Sequence, residues 1–158
     1  MDDSKTVVLA LDSDDEIHGP LGAVRPSLIV RCQEKQTAVY VVTGMAANIE
    51  TDSEGGPSDY HTVRVRLDDG PAESYRSWKE STDHKALFAS ETVDGGIDSA
   101  PSTWQHHPVS EFAKKLSGAR TLTFQFTPFD GSPQLARFDL RGLDVHLHKV
   151  AEACGWAY

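Results

Sequence analysis

One stretch, Tyr60–Phe88 (YHTVRVRLDDGPAESYRSWKESTDHKALF), constrains the fold more than any other. Val63, Val65 and Leu67 alternate with Thr62, Arg64 and Arg66. A period of two puts the first three on a buried face and the others on an open one, so the spacing predicts a half-buried strand. Asp68-Asp69-Gly70-Pro71 ends it, because the carboxylates can bond their own backbone, the glycine is free to take positive φ, and proline cannot extend a ladder. Beyond this turn Trp78, Leu87 and Phe88 bracket the polar run Lys79–Asp83, which predicts that the chain returns across the same sheet with Trp78 as a core anchor.

The flanking sequence supplies more strands. Val7, Leu9 and Leu11 share one face of a first strand, which the acidic run Asp12–Glu16 closes, and His18–Gly22 reads as a turn. Leu28, Val30 and Cys32 share a face of a second strand, with Ile29 and Arg31 opposite, and Ala38–Val42 is a β-branched and aromatic run that forms a hairpin with it. Residues 44–59 and 92–108 are rich in Gly, Pro, Ser and Asp and read as irregular loops, the second pinned to the body by Trp104. After Pro108 the period changes. Val109, Phe112, Ala113 and Leu116 fall at helical spacing, and Gly118 sits where a C-terminal cap would be. Thr121–Phe126 and Ala136–Leu140 flank a Pro/Gly turn as the clearest hairpin of the chain, and Leu143, Leu147, Val150, Ala151 and Cys154 form the apolar stripe of a C-terminal helix. This order predicts one α+β domain over residues 1–158: a largely antiparallel sheet, a short helix before the late hairpin, and a C-terminal helix packed on the sheet.

With 158 residues the chain can bury a full core without a metal. A net charge of −9 argues against phosphate-driven nucleic-acid binding, and no apolar run is long enough to span a bilayer. The start Met1-Asp2-Asp3 lacks the basic, apolar pattern of a secretory signal. That leaves two placements open, periplasmic or envelope-associated if a signal has been removed, and cytoplasmic otherwise.

Catalytic patterns are weak. Ser81, Asp83 and His84 are the residue types of a hydrolase triad, but they are packed into one local segment with no nucleophile elbow, so capping and turn roles are expected. Asp68 and Asp69 are adjacent in a turn and face apart, which does not suit paired acid–base work. Gly55-Gly56 and Gly95-Gly96 lack the lysine and spacing of nucleotide loops, and His146 and His148 lie two apart on a helix and point in different directions. The expectation is therefore no catalytic residue, no cofactor and no metal. From pattern alone, Cys32 and Cys154 suit buried thiols and a disulfide equally.

Several blocks in order carry a family resemblance: Arg31-Cys32, Thr62–Asp69, Trp78, Ser81-Thr82-Asp83, Phe124–Phe129, Phe138–Leu143 and Ala153–Trp156. Over most of its length the chain resembles the VasI/TagO group of type VI secretion-associated proteins, which has phage and prophage relatives. The resemblance departs at Ile49–Asp59 and Thr92–His107. It implies a non-enzymatic, envelope-associated accessory role and carries over no catalytic position. It also implies a disulfide between Cys32 and Cys154. The expected partner is a protein, met by an exposed surface that includes Arg64, Arg66, Asp68, Asp69 and Trp104. The alternative is an inhibitor or immunity-type protein, phage-encoded in one version, that docks on a toxin or lytic enzyme.

Overall fold

A computed structural model describes residues 6–20, 22–52, 54–89, 92–94, 105–107 and 109–156. Eight strands form one antiparallel sheet. They are β1 (Val7–Asp12), β4 (Ser27–Gln33), β5 (Gln36–Val42), β6 (Tyr60–Leu67), β7 (Glu73–Glu80), β8 (Ala86–Phe88), β11 (Thr121–Phe126) and β12 (Gln134–Asp139), in the order β1-β4-β5-β8-β7-β6-β11-β12. Two short hairpins stand apart, β2 (Ile17–Gly19) with β3 (Gly22–Val24), and β9 (Thr92–Asp94) with β10 (Gln105–His107). Helices α1 (Val109–Ser117) and α2 (Leu143–Cys154) complete the expected α+β domain.

The stretch from Tyr60 onward holds its expected place. β6 buries Val63 and Val65 and exposes Arg64 and Arg66, and it lies between β7 and β11. Trp78 is 1% exposed on β7, edge-on to Phe112 of α1 and tilted against Phe124 of β11. One aromatic side chain thus joins the sheet to the first helix. Burying an aromatic group removes roughly 150–250 Å² of surface from water, so Trp78 is a principal source of core stability.

The inner face of β4 carries Leu28, Val30 and Cys32, which pair across to Val41, Val39 and Thr37 of β5 and to Leu11, Leu9 and Val7 of β1. Helix α2 lays Leu143, Leu147, Val150 and Ala151 on that face. Its two ends turn at Gly142 and Gly155, both left-handed with φ of 84° and 72°, a conformation that side chains with a Cβ resist. Cys32 and Cys154 form a disulfide across the interface, with Cα atoms 5.7 Å apart.

The sheet curls until its outer strands nearly meet. Just past β1, the Asp14 amide donates to the Arg137 carbonyl of β12 at 2.8 Å. Asp15 accepts the Arg137 amide, Nε and Nη2, each at 3.0 Å. This fork of two parallel bonds suits guanidinium and carboxylate geometry. It also covers part of the β12 edge, which would otherwise invite pairing.

At the turn expected around His18–Gly22, the chain adds two short strands, with His18 and Gly19 paired to Ala23 and Gly22. Two other sequence expectations change here. Thr92–Asp94 and Gln105–His107 pair within the stretch expected to be irregular, and polar composition concealed them. Gly118 follows α1 but is not among the residues with positive φ, so it is no left-handed cap.

Charged turns set the response to acid. The Arg141 side chain and amide bond the Asp139 carboxylate and lower its pKa from 3.8 to about 2. Hydrogen bonds from Arg137 lower Asp15 in the same direction. A carboxyl whose folded pKa is depressed contributes stability fully above its unfolded value and loses it as pH falls through the folded one. Asp139→Asn is therefore expected to destabilise the protein at pH 6, with the difference from wild type shrinking between about pH 4 and pH 2. Urea titrations across that range check it, and a constant difference would remove the assignment.

Candidate partner-binding surface

Directly paired residues in a sheet share a face, so the register identifies what the face away from the helices presents. Ala10 pairs with Ile29, Ile29 with Tyr40, Tyr40 with Phe88, Phe88 with Lys79, and Lys79 with Tyr60. These residues form one row across β1, β4, β5, β8, β7 and β6. Tyr40 and Phe88 are stacked with ring centroids 4.3 Å apart, and the Arg31 guanidinium lies over Tyr40 at 5.4 Å. Lys79 Nζ lies over Tyr60 at 5.2 Å. Cations over aromatic faces gain from the ring quadrupole, which holds these long side chains against the sheet.

Toward β11 and β12 the same face becomes polar. Arg64 pairs with Ser74 and Gln125, and Arg66 with Thr123. Arg64 is exposed and has no hydrogen-bond or ion-pair partner among the described residues. It lines a shallow depression with Asn48, Glu50, Thr62, Gln125 and Thr127. The Glu50 carboxylate accepts the Thr62 amide and hydroxyl at 2.5 and 2.6 Å, which fixes one wall. The volume is about 130 Å³, below the ~300–1,000 Å³ of drug-sized ligand sites.

The expected surface residues separate by role. Arg66 donates through Nε to the Gly70 carbonyl at 2.9 Å and through Nη2 to the Asp69 carbonyl at 3.4 Å, holding the turn after its own strand. Asp68 has φ of 52° and accepts the Arg120 and Thr121 amides at 2.8 and 3.0 Å, which ties that turn to the start of β11. Asp69 is exposed in the same turn. Of the two arginines, Arg64 alone is left with its side chain uncommitted among the described residues. Trp104 lies outside the described residues.

Ser81, Asp83 and His84 organise a turn. Ser81 Oγ donates to Asp83 Oδ1 at 2.6 Å and accepts the Ala86 amide at 3.1 Å, while Asp83 Oδ1 accepts the Lys85 amide. His84 turns its Nδ1 to Glu80 instead of to Ser81. The hydrogen bond from Ser81 lowers the Asp83 pKa, helped by the Lys85 amide, as expected of a carboxylate that holds a turn together. Among the described residues, no three His, Cys, Asp or Glu side chains come together to hold a metal ion. His148 lies 3.9 Å from Asp144 along α2.

The aromatic row is the feature that pattern reading missed. Ile29 and Arg31 are assigned to an outer face by alternation alone, but the Tyr40–Phe88 pair depends on β5 meeting β8, a non-local pairing with no local signal. The fold and this face define an α+β domain with an open, mixed aromatic and cationic sheet surface. No protein-family model, curated protein or solved structure matches the chain.

Proposed function

We propose that the chain is a non-enzymatic accessory protein that binds another protein through the outer face of its sheet, in the envelope or periplasm. The observation that carries this reading is the outer face itself, where aromatic rings and cations are ordered side by side and Arg64 is left uncommitted. The disulfide supports an oxidising compartment, since such bonds persist there and are reduced in most cytoplasms. The block resemblance to VasI/TagO proteins points the same way. No helix among the described residues is long and apolar enough to cross a membrane.

Affinity capture from the native host, with the bound proteins read by mass spectrometry, tests the role. A secretion or envelope component recovered in stoichiometric amount supports it, and a toxin or lytic enzyme would move the assignment to an inhibitor. The purified protein is expected to contain no stoichiometric metal or nucleotide and to hydrolyse no ester, peptide or glycoside. One robust activity abolished by changing Asp68 or Asp83 would overturn the binding role.

A further inference from the structure

We infer that the Ile29–Tyr40–Phe88–Lys79–Tyr60 row is the docking site and that its ligand is an acidic protein segment carrying apolar side chains. This rests on the binding role proposed above and names the partner's chemistry. Charge complementarity is the first argument. The chain carries a net charge of −9, yet the outer face of β1, β4, β5, β8, β7 and β6 displays Arg31, Lys79, Arg64 and Arg66. Asp12 and Glu50 are on that face too, their carboxylates accepting the Ser27 hydroxyl and the Thr62 amide and hydroxyl, so the four cations stand against two carboxylates among the described residues. A cationic face on an acidic protein selects an anionic partner and disfavours pairing with the same face of a second copy.

Ring geometry narrows the class. Bases and sugars bind aromatic platforms by lying on open ring faces. Tyr40 has Phe88 stacked against it from β8 and the Arg31 guanidinium over it from β4, on the other flank of β5. Tyr60 has Lys79 over it. The row presents half-buried aromatic and alkyl surface at Ile29, Tyr40 and Phe88 and a more open Tyr60, 43% exposed, with Val8 55% exposed nearby. Such surface suits aliphatic side chains, and the neighbouring cations suit carboxylates.

Fluorescence anisotropy on the purified, oxidised protein tests this with short labelled probes: a Glu/Leu alternating peptide, a Glu/Ser peptide, a Lys/Leu peptide and oligo-dT. The Glu/Leu peptide is expected to bind at least about ten-fold tighter than the other three, because both charge and apolar contact are required. The double variant Lys79→Glu, Arg64→Glu should lose about ten-fold in affinity, and Phe88→Ser should weaken binding as well. Val145→Ser, at an exposed position on α2, should change nothing. Binding without preference for the Glu/Leu peptide, or binding indifferent to the double variant, overturns the site. Tighter binding of oligo-dT replaces the partner class with single-stranded nucleic acid. Repeating the host capture with the double variant separates the two levels. A partner retained by that variant rejects the site and leaves the binding role standing, whereas no partner on either protein rejects the role.

Discussion

Trp78→Ala is expected to destabilise the protein by about 3–5 kcal/mol, one of the two largest single effects in this fold. The indole is 1% exposed and contacts Phe112 and Phe124, which belong to α1 and to a strand distant in sequence. Removing it leaves a cavity where sheet and helix meet, and the surrounding backbone is tied by strand pairing on both sides of β7, so it can collapse only partly. Thermal melts would show a fall in Tm of roughly 10 °C. Trp78→Phe should retain more than half of the lost stability by keeping the aromatic contact. A Tm unchanged by Trp78→Ala would remove the anchor role.

Reduction of the Cys32–Cys154 disulfide is the second large effect. The bond spans 122 residues, and the loop-entropy model puts its contribution at about 4–5 kcal/mol. Denaturant titration with and without reductant measures it directly. Reduction is a cleaner comparison than substitution because both sulfurs stay in place, whereas Cys32→Ala also removes packing from a site that is 0% exposed. Alkylation without reductant, followed by intact mass, should find no labelled thiol on protein recovered from its native compartment. Two labelled thiols there would reject the periplasmic placement.

Much of this architecture is legible in local pattern. Alternation at Val7–Leu11, Leu28–Cys32, Val63–Leu67 and Leu122–Phe126 locates strands and their buried faces, and helical spacing locates α1 and α2. The pairing of those pieces is less legible. β11 sits between β12 and β6, and only the β12 neighbour has a hairpin turn to announce it. The short hairpins are hidden because Gly, Pro and Ser dominate their surroundings, and three-residue strands give too little alternation to read. At the surface, Arg64 and Arg66 look equivalent in sequence. Their difference comes from the turn that Arg66 can reach and Arg64 cannot. The aromatic row is legible only after β5, β8, β7 and β6 have been placed side by side.

The disulfide also gives the chain an unusual load path. Were the protein pulled from its two ends, tension would enter at residue 32 and leave at residue 154 through two sulfur atoms, bypassing the strands between them. The segment before Cys32, which includes β1 and the β2–β3 hairpin, would still feel the force, and the β1–β4 ladder, starting at the Val7–Cys32 pair, would be the first to resist it. Everything from β5 through β12 would stay slack. That arrangement leaves the larger part of the sheet mechanically isolated while its outer strand yields.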